Sequence, residues 1–182
     1  MRIVAGKYKG LKLNEFELDN IRPTIDRVRE SIFNKIQFKV SGAVVLDLFG
    51  GTGAVSLEFV SRNAEKVITV DNNAGSIRLI KQNFDKAKIK PNLLEMDYER
   101  ALKKVSDMGL KFDIVFLDPP FETDFAEKAL KFISSHDLLK DDGVIVYEHV
   151  VGKVFECPSG LEIMDERKYG TVSVSYVEKN NG

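Results

Sequence analysis

Short, nearly continuous apolar runs alternate with helical stretches along most of this chain. Residues 43–48, 66–70, 92–96, 112–117 and 144–147 have the pattern of strands buried on both faces. Between them, residues 54–62, 76–87, 98–105 and 125–134 place apolar side chains at helical spacing, as Ile77, Ile80 and Phe84 do. This alternation predicts an α/β fold with a mostly parallel sheet and helices on both faces. The tail changes period. In 171–177, Val172, Val174 and Tyr176 alternate with Thr171, Ser173 and Ser175, and no helical stretch separates this run from 161–164. A closing antiparallel hairpin is expected there, with Tyr169-Gly170 near its turn. Ahead of the first strand, residues 2–5 and 11–13 predict a small hairpin around Gly6-Lys7-Tyr8-Lys9-Gly10. A helix then follows Arg22-Pro23-Thr24, with Val28, Ile32, Phe33 and Ile36 on one face, Thr24 or Asp26 as its cap and Ser41-Gly42 as its end. Residues 1–40 are therefore read as an extension and 41–182 as the principal domain.

Charge sharpens that division. The formal net charge is −1 over 182 residues. Residues 1–40 carry nine basic side chains against five acidic ones, and the remainder is correspondingly acidic. No acid precedes Glu15. A basic arm on an acidic body fits a polyanionic partner, and Arg2, Lys7, Lys9, Lys12, Arg22 and Arg27 are the candidate contacts. Lysines on an exposed hairpin also protect a sheet edge from aggregation. No apolar run exceeds four residues, so nothing here can span a bilayer as a helix. A start without an apolar stretch and a single cysteine, Cys157, point to the cytoplasm and leave no thiol pair for a disulfide or zinc. With only His136 and His149, read as surface or helix-end residues, a metal site is not expected.

The strand ends carry the chemistry. In open parallel sheets ligands bind beyond the carboxyl ends of the strands. Four runs end in an aspartate there: Asp47, Asp71, Asp97 and Asp118. A helix cap explains any one of them, but not readily all four. Asp47-Leu48-Phe49-Gly50-Gly51-Thr52-Gly53 is a glycine loop that lets backbone approach a ligand closely. It departs from the dinucleotide fingerprint, since Ser56 stands where the third glycine belongs. A carboxylate at Asp47 would repel a pyrophosphate but suits a ligand bearing an ammonium and a sulfonium, such as S-adenosylmethionine. Asp71 is placed for both ribose hydroxyls and Asp97 for an adenine amine, with Asn72 and Tyr98 lining the base.

The fourth strand ends in Asp118-Pro119-Pro120-Phe121. Two prolines fix φ and donate no hydrogen bonds, so the tetrad is rigid and rich in acceptors. It suits a planar group bearing an NH₂, with the Asp118 carboxylate and the Pro119 carbonyl accepting the two N–H bonds and Phe121 stacking on the ring.

These segments together resemble the RsmD family of bacterial small-subunit rRNA guanine-N2 methyltransferases along nearly the whole chain. The resemblance rests on Arg2 through Gly10, Arg22-Pro23-Thr24 with Asp26-Arg27-Val28-Arg29-Glu30, the loop from Asp47 to Gly53, the tetrad, and Tyr169-Gly170-Thr171. Gly50 stands where many relatives carry alanine, a small-for-small difference. The resemblance implies a Rossmann-like, seven-stranded class I methyltransferase fold with S-adenosylmethionine as donor and S-adenosylhomocysteine as product. It also implies a guanine of 16S rRNA as target, within an assembled small subunit. Arg22, Thr24 and Arg27 face either the cofactor carboxylate or the RNA. A DNA adenine or cytosine amino methyltransferase would share the tetrad, but 182 residues leave little room for a target-recognition domain. A nucleotide-dependent oxidoreductase fits Ser56 and Asp47 poorly. A non-catalytic RNA-binding assembly factor leaves the tetrad unexplained.

Overall fold

The structure is a computed structural model. It describes residues 1–17 and 22–181, with the side chains of residues 22–24 outside that description. In chain order the elements are α1 (Arg22–Val40), β1 (Val44–Asp47), α2 (Ala54–Ser61), β2 (Lys66–Asp71), α3 (Ala74–Lys86), β3 (Asn92–Glu95), α4 (Tyr98–Asp107), β4 (Phe112–Leu117), α5 (Phe125–Ser135), β5 (Leu139–Val150), β6 (Leu161–Tyr169) and β7 (Val172–Lys179). The strands form one sheet in the order β3-β2-β1-β4-β5-β7-β6. The first five are parallel, and β7 runs antiparallel to both β5 and β6. This is the seven-stranded class I methyltransferase arrangement, and it places the reversal of strand order between β1 and β4, where ligands bind in such sheets.

Alternation along each strand sorts the core into layers. Val45, Ile114, Phe116, Val144 and Val146 face α1, whose Val28, Ile32, Phe33, Ile36 and Val40 pack over them. Leu46, Val115, Leu117, Ile145 and Tyr147 face the other side, under Ala101, Leu102 and Val105 of α4 and Ala129, Leu130 and Ile133 of α5. Val40 leads through a tight turn, closed by the Ala43 N–H on the Val40 carbonyl, directly into β1. Helix α1 therefore runs antiparallel to the strand it precedes, and its amino end lies at the carboxyl edge of the sheet. Because that helix begins at Arg22, Thr24 and Asp26 fall inside its first turns rather than capping it.

Four details differ from the sequence reading. The amino-terminal segment forms no ladder. It makes one antiparallel bridge, Arg2 to Lys12, and is held instead from outside. Ile3 and Leu13 bury against Leu57, Ile80 and Phe84 of α2 and α3. The Lys7 and Tyr8 N–H groups donate to the Ser61 carbonyl and hydroxyl. Strand β5 is longer than the apolar run because a register irregularity between the Phe112 and Ile114 pairings absorbs polar residues 140–142. Strand β6 extends to Tyr169 through Asp165, Glu166, Arg167 and Lys168, charges that an edge strand tolerates and an alternation search rejects. Tyr169-Gly170 is at the hairpin turn, where Gly170 has φ of 62°. His136 caps the end of α5. His149, expected at the surface, is instead buried in β5, with Nε2 2.8 Å from the Ser175 hydroxyl. No described helix is long and apolar enough to cross a membrane.

Candidate active site

Acidic side chains converge on the carboxyl edge from neighbouring strands. Asp47 closes β1 and is almost wholly buried. Its Oδ2 accepts from the Ser56 hydroxyl at 2.7 Å, and that hydroxyl accepts from Thr69 at 2.7 Å. The position that breaks the dinucleotide fingerprint thus serves to orient the loop carboxylate. Loss of hydration, reinforced by the charges of Asp118 and Asp71, pushes the Asp47 pKa up to about 7 against the Ser56 hydrogen bond. The Phe49 N–H also favours the carboxylate, to a smaller extent, while the other oxygen, Oδ1, is buried and makes no hydrogen bond among the described residues. A buried orphan acceptor carries a desolvation cost, and a cationic ligand group in the cleft would relieve it.

The glycine loop wraps over this carboxylate. The Gly50 N–H donates to the Val70 carbonyl, and the Gly53 N–H donates to Gly50. The Gly51 N–H donates to Asp71 Oδ2 at 2.9 Å. A Cβ at Gly50 would lie 2.6 Å from the Thr69 methyl, so in this chain alanine does not simply replace it. Asp71 also accepts from the Asn73 N–H at 2.9 Å, which leaves one lone pair on each oxygen facing out. Asn72 is exposed beside it, while Asn73 caps α3 through the Ser76 N–H.

Asp97 does cap a helix: its Oδ1 accepts from the Arg100 N–H at 3.0 Å. The remaining oxygen lies 4.0 Å from Arg100 Nε. Tyr98 is largely buried and belongs to a cluster of three rings. Its centroid is 5.5 Å from Phe49 and 4.8 Å from Phe125, and Phe49 and Phe125 stack at 6.4 Å. Phe125 escaped the sequence reading because an aromatic in the first turn of a helix looks like any core residue. The cluster forms an apolar wall beside the glycine loop.

The tetrad stands at the end of β4. Asp118 is open to solvent on the cleft side, yet enough protein surrounds its carboxyl for loss of hydration to push its pKa up to about 7. Pro119 is buried, and the Phe121 ring projects, 61% exposed. The Pro120 carbonyl is taken by the Thr123 hydroxyl at 2.8 Å, whereas no described donor engages the Pro119 carbonyl. Lys153, from the segment after β5, braces this turn by donating to the Thr123 carbonyl and pairing with Glu127 at 3.1 Å. Glu148 was missed by the sequence reading. It lies in β5 beside Asp118, and burial together with the Asp118 charge pushes its carboxyl well above the usual range.

The basic candidates on the arm are not part of this cleft. Arg2, Lys7, Lys9 and Lys12 are exposed on the arm, and Lys7 and Lys9 lie by Ser61 at the far end of α2, about 12 Å along that helix from the glycine loop. Arg27 is exposed on the first turns of α1. Arg22 reaches the carboxyl edge with its backbone, but its side chain, like that of Thr24, lies outside the described residues.

The whole arrangement recurs in known proteins. The family model described as "Conserved hypothetical protein 95" matches residues 1–178. A Bacillus subtilis protein, YlbH, is 34% identical over 98% of this chain and 99% of its own length. The Haemophilus influenzae protein named Ribosomal RNA small subunit methyltransferase D is 31% identical over 95% of this chain and 91% of its own. The solved structure of yhhF from Escherichia coli superposes with a TM-score of 0.83 at 27% identity, covering 100% of this chain and 99% of that one. From its amino-terminal arm to its closing hairpin, this chain belongs to the RsmD family.

Proposed function

We propose that this protein transfers a methyl group from S-adenosylmethionine to the exocyclic N2 amine of a guanine in small-subunit rRNA. The observation that carries the reading is the tetrad: a carboxylate and an unengaged proline carbonyl on adjacent residues, followed two residues on by an exposed phenyl ring. Relatives named Ribosomal RNA small subunit methyltransferase D support the class of substrate. The cofactor fits the residues present. Asp47, with its orphan oxygen, suits the methionine ammonium, and Asp71 has lone pairs for the ribose hydroxyls. The Phe49, Tyr98 and Phe125 rings suit the adenine, with the second oxygen of Asp97 near its amine.

When bound, the cofactor supplies an electrophilic methyl on a sulfonium. The guanine amine is a poor nucleophile because its lone pair is delocalised into the ring. The Asp118 carboxylate and the Pro119 carbonyl accept its two N–H bonds and turn the lone pair out of the ring plane, so the residues act by positioning and electrostatics. Phe121 stacks on the base, which must leave any helical stack to reach the cleft. Asp118, held near pKa 7, is suited to take the proton released once the amine is methylated. The basic arm meets RNA phosphates away from the cleft, and an assembled small subunit is the substrate that presents both surfaces together.

Two measurements test this. Asp118→Ala is expected to keep S-adenosylhomocysteine affinity near wild type while methyl transfer falls about 100-fold or more; normal turnover would refute the role of the tetrad. The ionised Asp118 is the stronger acceptor and the only form that can take up the released proton, so the wild-type rate should rise with pH through about 7. In Asp118→Asn the residual rate should lose that step. Nucleoside mass spectrometry of rRNA from a strain lacking the gene identifies the base.

A further inference from the structure

The register of the two central strands places a second carboxylate against the reactive one. Leu117 of β4 pairs in parallel with Tyr147 of β5, so Asp118 and Glu148 are the next positions on adjacent strands, about 5 Å apart across the sheet. Alternation puts both on the same side. Ile114 and Phe116 lead to Asp118, Val144 and Val146 lead to Glu148, and all four apolar residues face α1. Tyr147 and His149 point the other way, against Phe155. Among the described residues Glu148 makes no hydrogen bond or ion pair; its strand neighbour Val174 is apolar, and the Tyr176 phenol on the same face senses its charge without bonding to it. Two crowded carboxylates with no cation between them call for a ligand that presents several N–H donors along one edge.

Guanine has such an edge. Its N1–H lies next to the two N–H bonds of the N2 amine, three donors in a row. Adenine offers its amine beside an N1 lone pair, which a carboxylate repels. With Asp118 and Pro119 occupied by the amine, the neighbouring acceptor meets N1–H. We propose that Glu148 is a specificity-determining residue that accepts the guanine N1–H and thereby excludes bases with an acceptor at that position. The inference rests on the guanine reading of the site. It adds a residue that neither the tetrad nor the cofactor loop includes. It also gives Glu148 a reason to remain charged where burial and Asp118 oppose it. RNA modules commonly read splayed bases through their Watson–Crick edges, and a site built to bond an N–H rejects an analogue lacking it.

The test uses 2-aminopurine, which keeps the amine but carries a lone pair at N1. After the modified guanine is mapped, small-subunit particles are assembled with guanosine or 2-aminopurine riboside at that position, and single-turnover methylation is measured. Wild type is expected to prefer guanine by about 10- to 100-fold. Glu148→Gln, whose amide donates to N1 of 2-aminopurine, is expected to bring that ratio to near one or invert it, with S-adenosylhomocysteine affinity unchanged. A wild-type ratio near one overturns the proposal by itself, even if the variant does not fold. So does a Glu148→Gln variant that keeps the wild-type ratio. Wild-type product on a base other than guanine would remove the underlying reading of the site and the inference with it.

Discussion

Asp47, as the proposed partner of the methionine ammonium, would trade stability for binding. A carboxyl normally ionising near 3.8 but held at about 7 in the folded chain favours the protonated form there. The folded state then binds more protons than the unfolded one between about pH 4 and 7, so this group's contribution falls as pH rises through that window. A shift of this size corresponds to about 4 kcal/mol at most. Asp47→Asn, which keeps the shape without the charge, is expected to raise the melting temperature at pH 8 and to do so little at pH 4. Cofactor affinity should drop at the same time; unfolding curves at the two pH values, paired with titrations of S-adenosylhomocysteine, check both. Gly50 carries a related lesson. The sequence shows a small residue in a loop, but only the packing of Thr69 and Ile80 shows that the space for a methyl is already filled.

Among the elements, β1, β2, β4 and the centre of β5 were readable because burial on both faces leaves an unbroken apolar run, whereas β3, expected to be buried in the same way, is a half-exposed edge strand. The same criterion hid Glu148. The apolar run of β5 stops at Tyr147, so the first charged residue looked like the start of a loop, although the strand continues in pairing to Val150. Strand β6 was read short for the opposite reason, since an edge strand needs few apolar positions. The arm could not be read locally because its bonding partners are distant. The fully buried Glu58 of α2 accepts from the Val4 and Ala5 N–H groups at 2.9 and 3.1 Å and from Arg62 at 2.9 Å. Asn83 of α3 accepts from the Asn14 N–H and donates to the Asn14 and Thr52 carbonyls. Glu58→Ala strands two backbone donors, each at about 1–3 kcal/mol. Amide exchange across residues 3–10 should accelerate at least tenfold while β1 and β4 keep their protection; equal loss in both regions would mean that the arm and sheet open together.

At the scale of the whole molecule, charge is segregated by surface, with lysines on the arm and carboxylates in the cleft. If Lys7, Lys9 and Lys12 neutralise rRNA phosphates, changing all three to glutamine should flatten the dependence of log affinity on log salt by about two units. Cofactor affinity should not move; parallel lines between about 50 and 200 mM salt would remove the arm from the RNA interface. The strand order has a consequence in time as well as in space. β1 lies against β4, joining Val45 to Ile114, and the cleft draws on β1, β2, β4 and β5. Pairings this far apart in sequence incur their loop-closure entropy before any contact repays it, which slows folding. The hairpin of β6 and β7 needs no such wait. During synthesis, Asp47 and Asp71 emerge long before Asp118 and Glu148 can meet them. A partly made chain that ends before β4 therefore lacks half of the proposed site, which is complete only once the central sheet has closed.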